Sequence, residues 1–249
     1  MPLVETEAIV LRTYRLAEAD KIVSLFTRQM GRVRAVASGA QRTKSRYGGA
    51  LEPLGYVRLW FYERENRDLA RLNSVEIIES FFDMQKDYAS HLAGQYVVEV
   101  SEHLLPEREV NERIFRLLLV VLRSLKQFRE VDRPLVYFNY WMLRLGGFLP
   151  DLTACGTCGR RFQDELVYYG PGLSTLVGKE CRLGTGASHT VAATALAEAQ
   201  AACARLLERW MEDSAIPKFC KDVRSFLELL VESQLERKLF TRGLLAEVS

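Results

Sequence analysis

At about Phe82 the hydrophobic period of this chain changes from two residues to 3.6, and that switch restricts the possible folds more than any other feature. Before it, apolar and β-branched residues come in short runs: Glu7 to Tyr14, Lys21 to Phe26, Gly31 to Ala37, Gly55 to Arg64 and Leu69 to Ile78. Polar, turn-compatible stretches separate them. With so little room between strands for helices, a small closed or partly open barrel is expected over residues 1–80, and the OB-fold is the five-stranded member of that class.

Residues 81–249 are expected to form a helical domain, making the whole an α+β protein. Leu92, Tyr96, Val97, Val100 and Leu104 share one face of a helix from Asp87 to Leu105, which Pro106 stops. Asn111 is positioned to cap a second helix through Phe128, with Ile114, Leu117, Leu118, Val121, Leu122, Leu125 and Phe128 as its buried stripe. Pro134 suits the first position of a third helix, ended by Gly146-Gly147. An irregular, Gly-rich module follows over residues 151–190. After it come an Ala-rich helix (Val191 to Met211) and a last one (Phe219 to Leu239).

With 34 basic and 32 acidic residues, net charge implies no partner, and only placement is informative. The stretch Gly31 to Arg46 holds Arg32, Arg34, Arg42, Lys44 and Arg46 and no acid. Val33, Ala35 and Ala37 alternate with Arg32, Arg34 and Val36, so this reads as a half-buried strand with arginines on its wet face. A basic loop, Ser38 to Ala50, follows. Such a cluster can neutralise several phosphates of a nucleic acid; it also suits a solvated edge that resists strand aggregation. On the next strand Val57, Leu59 and Phe61 face one way, and Tyr56, Arg58, Trp60 and Tyr62 the other. Three rings and a cation on one face suit base stacking. They suit equally well rings packed under helices with polar tips at the rim. The candidate nucleic-acid contacts are Arg32, Arg34, Arg42, Lys44, Arg46, Arg58, Tyr56 and Tyr62.

The long module needs something to hold it. Cys155-Gly-Thr-Cys158-Gly is half of a zinc knuckle, with thiolates presented from a tight turn. A second pair is broken: the positions three before and three after Cys181 are Gly178 and Gly184. His189 is the candidate fourth ligand; otherwise the module rests on packing of Phe162, Leu166, Tyr168 and Tyr169. Cys203 and Cys220 fall in helical patterns as small core residues. An odd number of cysteines, five, in a chain whose start lacks the pattern of a signal peptide points to a reducing cytoplasm. No apolar run approaches the roughly 20 residues of a membrane span.

Signs of an enzyme are missing. There is no phosphate-binding Gly-rich motif, hence no nucleotide cofactor, and His91 and His103 lie about 18 Å apart along one helix. A thioredoxin-like use of the C-x-x-C would need an α/β sheet that the pattern does not contain. The chain reads as a binder.

The runs TEAIVLRTYRLAEADKIVSLFT and GRVRAVASGAQRTKSRYGGALEPLGYVRL, with ACGTCGRRF beyond them, resemble the RecO family of bacterial recombination mediators over essentially the whole chain. The resemblance implies an OB-fold, a helical domain carrying a zinc-finger-like module, and a cytoplasmic, nucleoid-associated protein. It implies binding to single- and double-stranded DNA, annealing of complementary strands, and loading of RecA with RecR and single-stranded-DNA-binding protein. RecF is a further implied partner, and one structural Zn2+ the implied cofactor. The sequence departs from the family at the module, where zinc-bearing members have two C-x-x-C pairs. The rival readings are a zinc-module transcriptional regulator, a metal-dependent nuclease, and a scaffold that never touches DNA.

Overall fold

The computed structural model describes residues 3–62, 69–170 and 172–248; Glu63 and Arg64, expected at the end of the fourth strand, lie outside them. Five strands, β1 (Leu3–Leu16), β2 (Asp20–Thr27), β3 (Gly31–Ala37), β4 (Tyr56–Tyr62) and β5 (Leu69–Glu79), close into a barrel of order β1-β2-β3-β5-β4. Neighbours are antiparallel except β3 and β5. Closure leaves the sheet no edge to cover. The interior is filled by side chains, among them Val10, Val23, Leu25, Ala35, Val57, Leu59 and Phe61. Tyr47, from the loop after β3, joins this interior and donates its hydroxyl to the Leu72 carbonyl at 3.1 Å.

A bulge between Val10 and Arg12 changes which way β1 points. Beyond it Thr13 pairs with the inward-facing Val23, so Arg12 and Tyr14 turn outward with their partners Ser24 and Ile22.

The helical region comprises α1 (Tyr88–Leu104), α2 (Glu112–Phe128), α3 (Asp132–Leu145), α4 (Ala193–Cys203), α5 (Leu207–Met211), α6 (Phe219–Leu235) and α7 (Phe240–Val248). A two-stranded sheet, β6 (Leu166–Tyr169) and β7 (His189–Ala192), builds the module between α3 and α4. Asn111 caps α2 as its side-chain type requires, accepting from the Ile114 N–H at 3.1 Å; Asp87 does the same for α1 from Ser90 at 2.9 Å.

Three boundaries in the helical region differ from expectation. Val191 and Ala192 pair in β7, and the Ala-rich segment breaks into α4 and α5. α3 begins two residues before Pro134. The last helix stops at Leu235, followed by Glu236 in the left-handed region (φ 52), because Glu99 of α1 starts a new helix. The Glu99 carboxylate accepts from the N–H groups of Phe240 and Thr241 at 3.1 and 3.0 Å and from the Thr241 hydroxyl at 2.6 Å. A charged cap buried in α1 thus fixes where α7 begins. Cys203 and Cys220 are fully buried core residues.

The barrel is fused to the helices through part of its outer wall. Ile9, Leu11, Phe26, Leu54 and Tyr56 belong to the helical core. The Phe115 ring of α2 sits 6.0 Å from Phe26 and 6.1 Å from Tyr56.

Candidate nucleic-acid interface and cysteine cluster

The sequence-predicted contacts fall into three environments. Arg32 lies at the join with the helices. Gly31 adopts φ +67, and a Cβ there would come 2.2 Å from the Glu109 carbonyl oxygen. Only glycine lets the α1–α2 loop lie so close on β3, and the Arg108 N–H donates to the Arg32 carbonyl at 3.0 Å. Under that loop the Arg32 guanidinium donates to the Leu105 carbonyl at 2.9 Å and pairs with Glu102 and Glu107 at 3.7 and 3.4 Å. Its side chain is 16% exposed, turned toward the helices and away from the solvent face expected for it.

Tyr56 is likewise covered. It is 6% exposed, against Phe115, and donates to Glu7 Oε2 at 2.6 Å. Burial and that carboxylate push its hydroxyl up to about 12. No face of this ring is open to a base. Arg58 is exposed but braced at 3.7 and 3.9 Å by Glu5 and Glu7, and the Trp60 indole donates to Glu5 at 3.0 Å. Registry causes this: Glu5 faces Trp60 and Glu7 faces Arg58 across the β1–β4 pair, so two acids stand around the one cation, Arg58, there. The expected platform of Tyr56, Arg58, Trp60 and Tyr62 is a structural wall over most of its length.

The third environment is the wall the helices leave uncovered. Cross-strand partners run in one outward row, Tyr14–Ile22–Val36–Arg71–Tyr62, around β1, β2, β3, β5 and β4. Beside it, at the border with the helices, runs Arg12–Ser24–Arg34–Leu69, where Ser24 is buried and donates to Glu102 of α1 at 2.6 Å. Tyr14 is 42% exposed; Arg12 and Arg71 are exposed; Arg34 remains accessible though paired with Glu107 at 3.1 Å. The loop cations Arg42, Lys44 and Arg46 are exposed as well. The loop is anchored to the β1–β2 turn by Gln41, whose side chain donates to the Asp20 carbonyl at 2.8 Å. Arg46 lies over the Tyr47 ring, 4.9 Å from its centre, and reaches the Leu72 carbonyl at 3.4 Å, next to Arg71. Among the described residues Arg12, Arg42, Lys44 and Arg71 pair with no carboxylate.

Arg12, Tyr14 and Arg71 were not among the candidates. The sequence signal for the first two was a bulge, which local alternation does not reveal. Arg71 needed the β3–β5 pairing to bring it beside Val36.

In the module, Cys155, Cys158 and Cys181 bring their sulfurs within 4.8 Å of one another. Cys155 is buried at the turn. Burial disfavours its thiolate, but the N–H groups of Gly178, Cys158 and Thr157 outweigh this and bring it down to about 6. The neighbouring sulfurs of Cys158 and Cys155 push Cys181 up to about 11. Soft sulfurs gathered on a turn whose amides stabilise negative charge fit a thiophilic metal ion. Tetrahedral Zn–S bonds of about 2.3 Å place sulfurs about 3.8 Å apart, a small contraction from the observed arrangement. His189 is not in the cluster; β7 holds it across from Tyr169, the rings 5.5 Å apart. The fourth ligand expected there is not His189.

Comparison with known proteins agrees with this architecture. Residues 1–81 match the family described as "Recombination protein O N terminal", and residues 85–242 "Recombination protein O C terminal". The chain is similar to "DNA repair protein RecO" of Koribacter versatilis, 41% identical over 96% of each chain. The protein of the same name from Symbiobacterium thermophilum is 36% identical over 77% of this chain and 79% of its own. That from Anaeromyxobacter sp. (strain K) is 29% identical over 100% and 98%. A closed five-stranded barrel, a helical region with three gathered cysteines, and matches over both parts lead to one conclusion: the chain belongs to the RecO family.

Proposed function

We propose that this protein acts in DNA repair as a recombination mediator. It binds single- and double-stranded DNA, anneals complementary strands, and assists loading of RecA together with RecR, single-stranded-DNA-binding protein and RecF. The observation that carries the DNA-binding part is the uncovered barrel wall, where Arg71 stands in one row with Tyr14 and Tyr62, Arg12 and Arg34 flank that row, and the loop of Arg42, Lys44 and Arg46 adds further exposed cations. Annealing needs relief of phosphate repulsion and close approach of bases. Cations supply the first by counterion release, and exposed rings hold single strands by stacking without regard to sequence. No bond is made or broken, so the protein works as a binder and not an enzyme. The DNA names carried by its relatives support this reading. Cys155, Cys158 and Cys181 hold one structural zinc ion, which cross-links the module's turn to the chain near Cys181.

The test is single-strand affinity as a function of salt. Reversing Arg42, Lys44 and Arg46 together should flatten the slope of log K against log salt by about 2, from about 0.7 per phosphate lost. Binding equal to the parent at low and high salt would show that the loop is not the site. Zinc content of the purified protein, with Cys155→Ser as control, tests the module.

A further inference from the structure

Among the described residues the three thiols have no fourth ligand beside them, which leaves one corner of a tetrahedral site, and the structure locates it. A second C-x-x-C pair would be completed at either Gly178 or Gly184. Gly184 adopts φ +77, a conformation hostile to a cysteine. Gly178 has φ −75 and ψ 167, open to any L residue, and its N–H donates to Cys155 Sγ at 3.4 Å. The empty corner is therefore beside Gly178.

A cation borders that corner. A Cβ on Gly178 would lie 3.1 Å from Arg160 Nη2, and the guanidinium is held there by Glu165 at 2.9 Å. Three thiolates around a divalent ion leave one net negative charge, which Arg160 offsets. Cys155 is buried, but Cys158 is exposed and Cys181 partly so, which keeps the cluster reachable from solvent.

Resting on the reading that the module holds an ion of the zinc class, we propose that this ion takes its fourth ligand from outside the chain. The site at Gly178 accepts a soft donor, an external thiolate or imidazole, and makes the module a point of attachment as well as a cross-link. A closed four-thiolate knuckle offers no such position.

The experiment loads the full chain with Co2+, whose thiolate charge-transfer absorption grows with the number of sulfurs bound and whose visible bands report coordination. In the parent, adding imidazole or β-mercaptoethanol should shift the visible bands. In Gly178→Cys the charge-transfer absorption should rise by about one third, as three thiolates become four, and the response to both probes should vanish. A parent spectrum indifferent to both probes, or an unchanged charge-transfer intensity in a folded Gly178→Cys protein, overturns the open corner while leaving the ion in place. A parent that takes up no more Co2+ than Cys155→Ser overturns the metal reading itself. The parent titration stands alone if the variant fails to fold.

Discussion

Single residues decide which parts of the barrel are interface and which are scaffold. Gly31 is the clearest case, since any side chain there meets the Glu109 backbone and must also hold φ +67. Gly31→Ala should destabilise the protein by about 2 kcal/mol or more, from left-handed strain plus displacement of the α1–α2 loop. A denaturant midpoint matching the parent would refute the close approach. Tyr56 tests the opposite assignment. Tyr56→Phe removes a 2.6 Å bond to a carboxylate and should cost about 1.5–3 kcal/mol of stability while DNA affinity in the folded protein stays unchanged. Loss of single-strand binding without loss of stability would return Tyr56 to the nucleic-acid surface. Replacing Tyr14 or Tyr62 by Ala should do the reverse, weakening single-strand binding by about 1–3 kcal/mol each.

Elements are joined here by charged clasps more than by sequence proximity. Arg28, just after β2, donates to Glu7 of β1 at 2.7 Å and to Glu112 of α2 at 2.8 Å, over the Phe115 ring. The Tyr56 hydroxyl and then Arg28 hold Glu7 below its ordinary value of 4.5 against the effect of burial, and Arg28 does the same for Glu112. Because both folded values are lowered, their stabilisation is complete above pH 4.5 and is lost as pH falls through the lowered values. The double variant Glu7→Gln, Glu112→Gln should flatten the acid limb of a stability–pH curve; a limb as steep as the parent's would place the acid sensitivity elsewhere. The other clasp is Glu99 at the start of α7. Glu99→Ala strands the buried Thr241 N–H and the part-buried Phe240 N–H and should cost about 2–3 kcal/mol. Hydrogen exchange should then quicken in residues 240–248 before it does in the barrel, and uniform quickening would mean that α7 is not separately held.

For the whole molecule, the contrast between Arg32 and Arg71 separates folding from function. Arg32→Glu would face Glu102 and Glu107 across a nearly closed gap and should lower stability, whereas Arg71→Glu should leave the melting temperature near the parent's and weaken DNA binding. Equal effects on melting and binding from both would dissolve the distinction between covered and open walls. Periodicity alone determined that five short runs between residues 7 and 78 form strands, that helices follow, and that Asn111 opens α2, because these depend on neighbours within a turn or a strand pair. The cysteine turn was legible for the same reason: Cys155 and Cys158 lie three residues apart on one turn, whose Thr157 and Cys158 amides point to the Cys155 sulfur. What alternation could not supply is which outward face another part of the chain would cover. Arg32 and Arg34 have the same place in the pattern, yet a loop some 75 residues away by sequence lies on one and only reaches the edge of the other. Likewise the bulge at Val10 and the parallel pairing of β3 with β5 brought Arg12, Tyr14 and Arg71 into one surface from separate strands. Local chemistry thus set the elements, while long-range packing chose, among equivalent polar faces, the one left open to solvent.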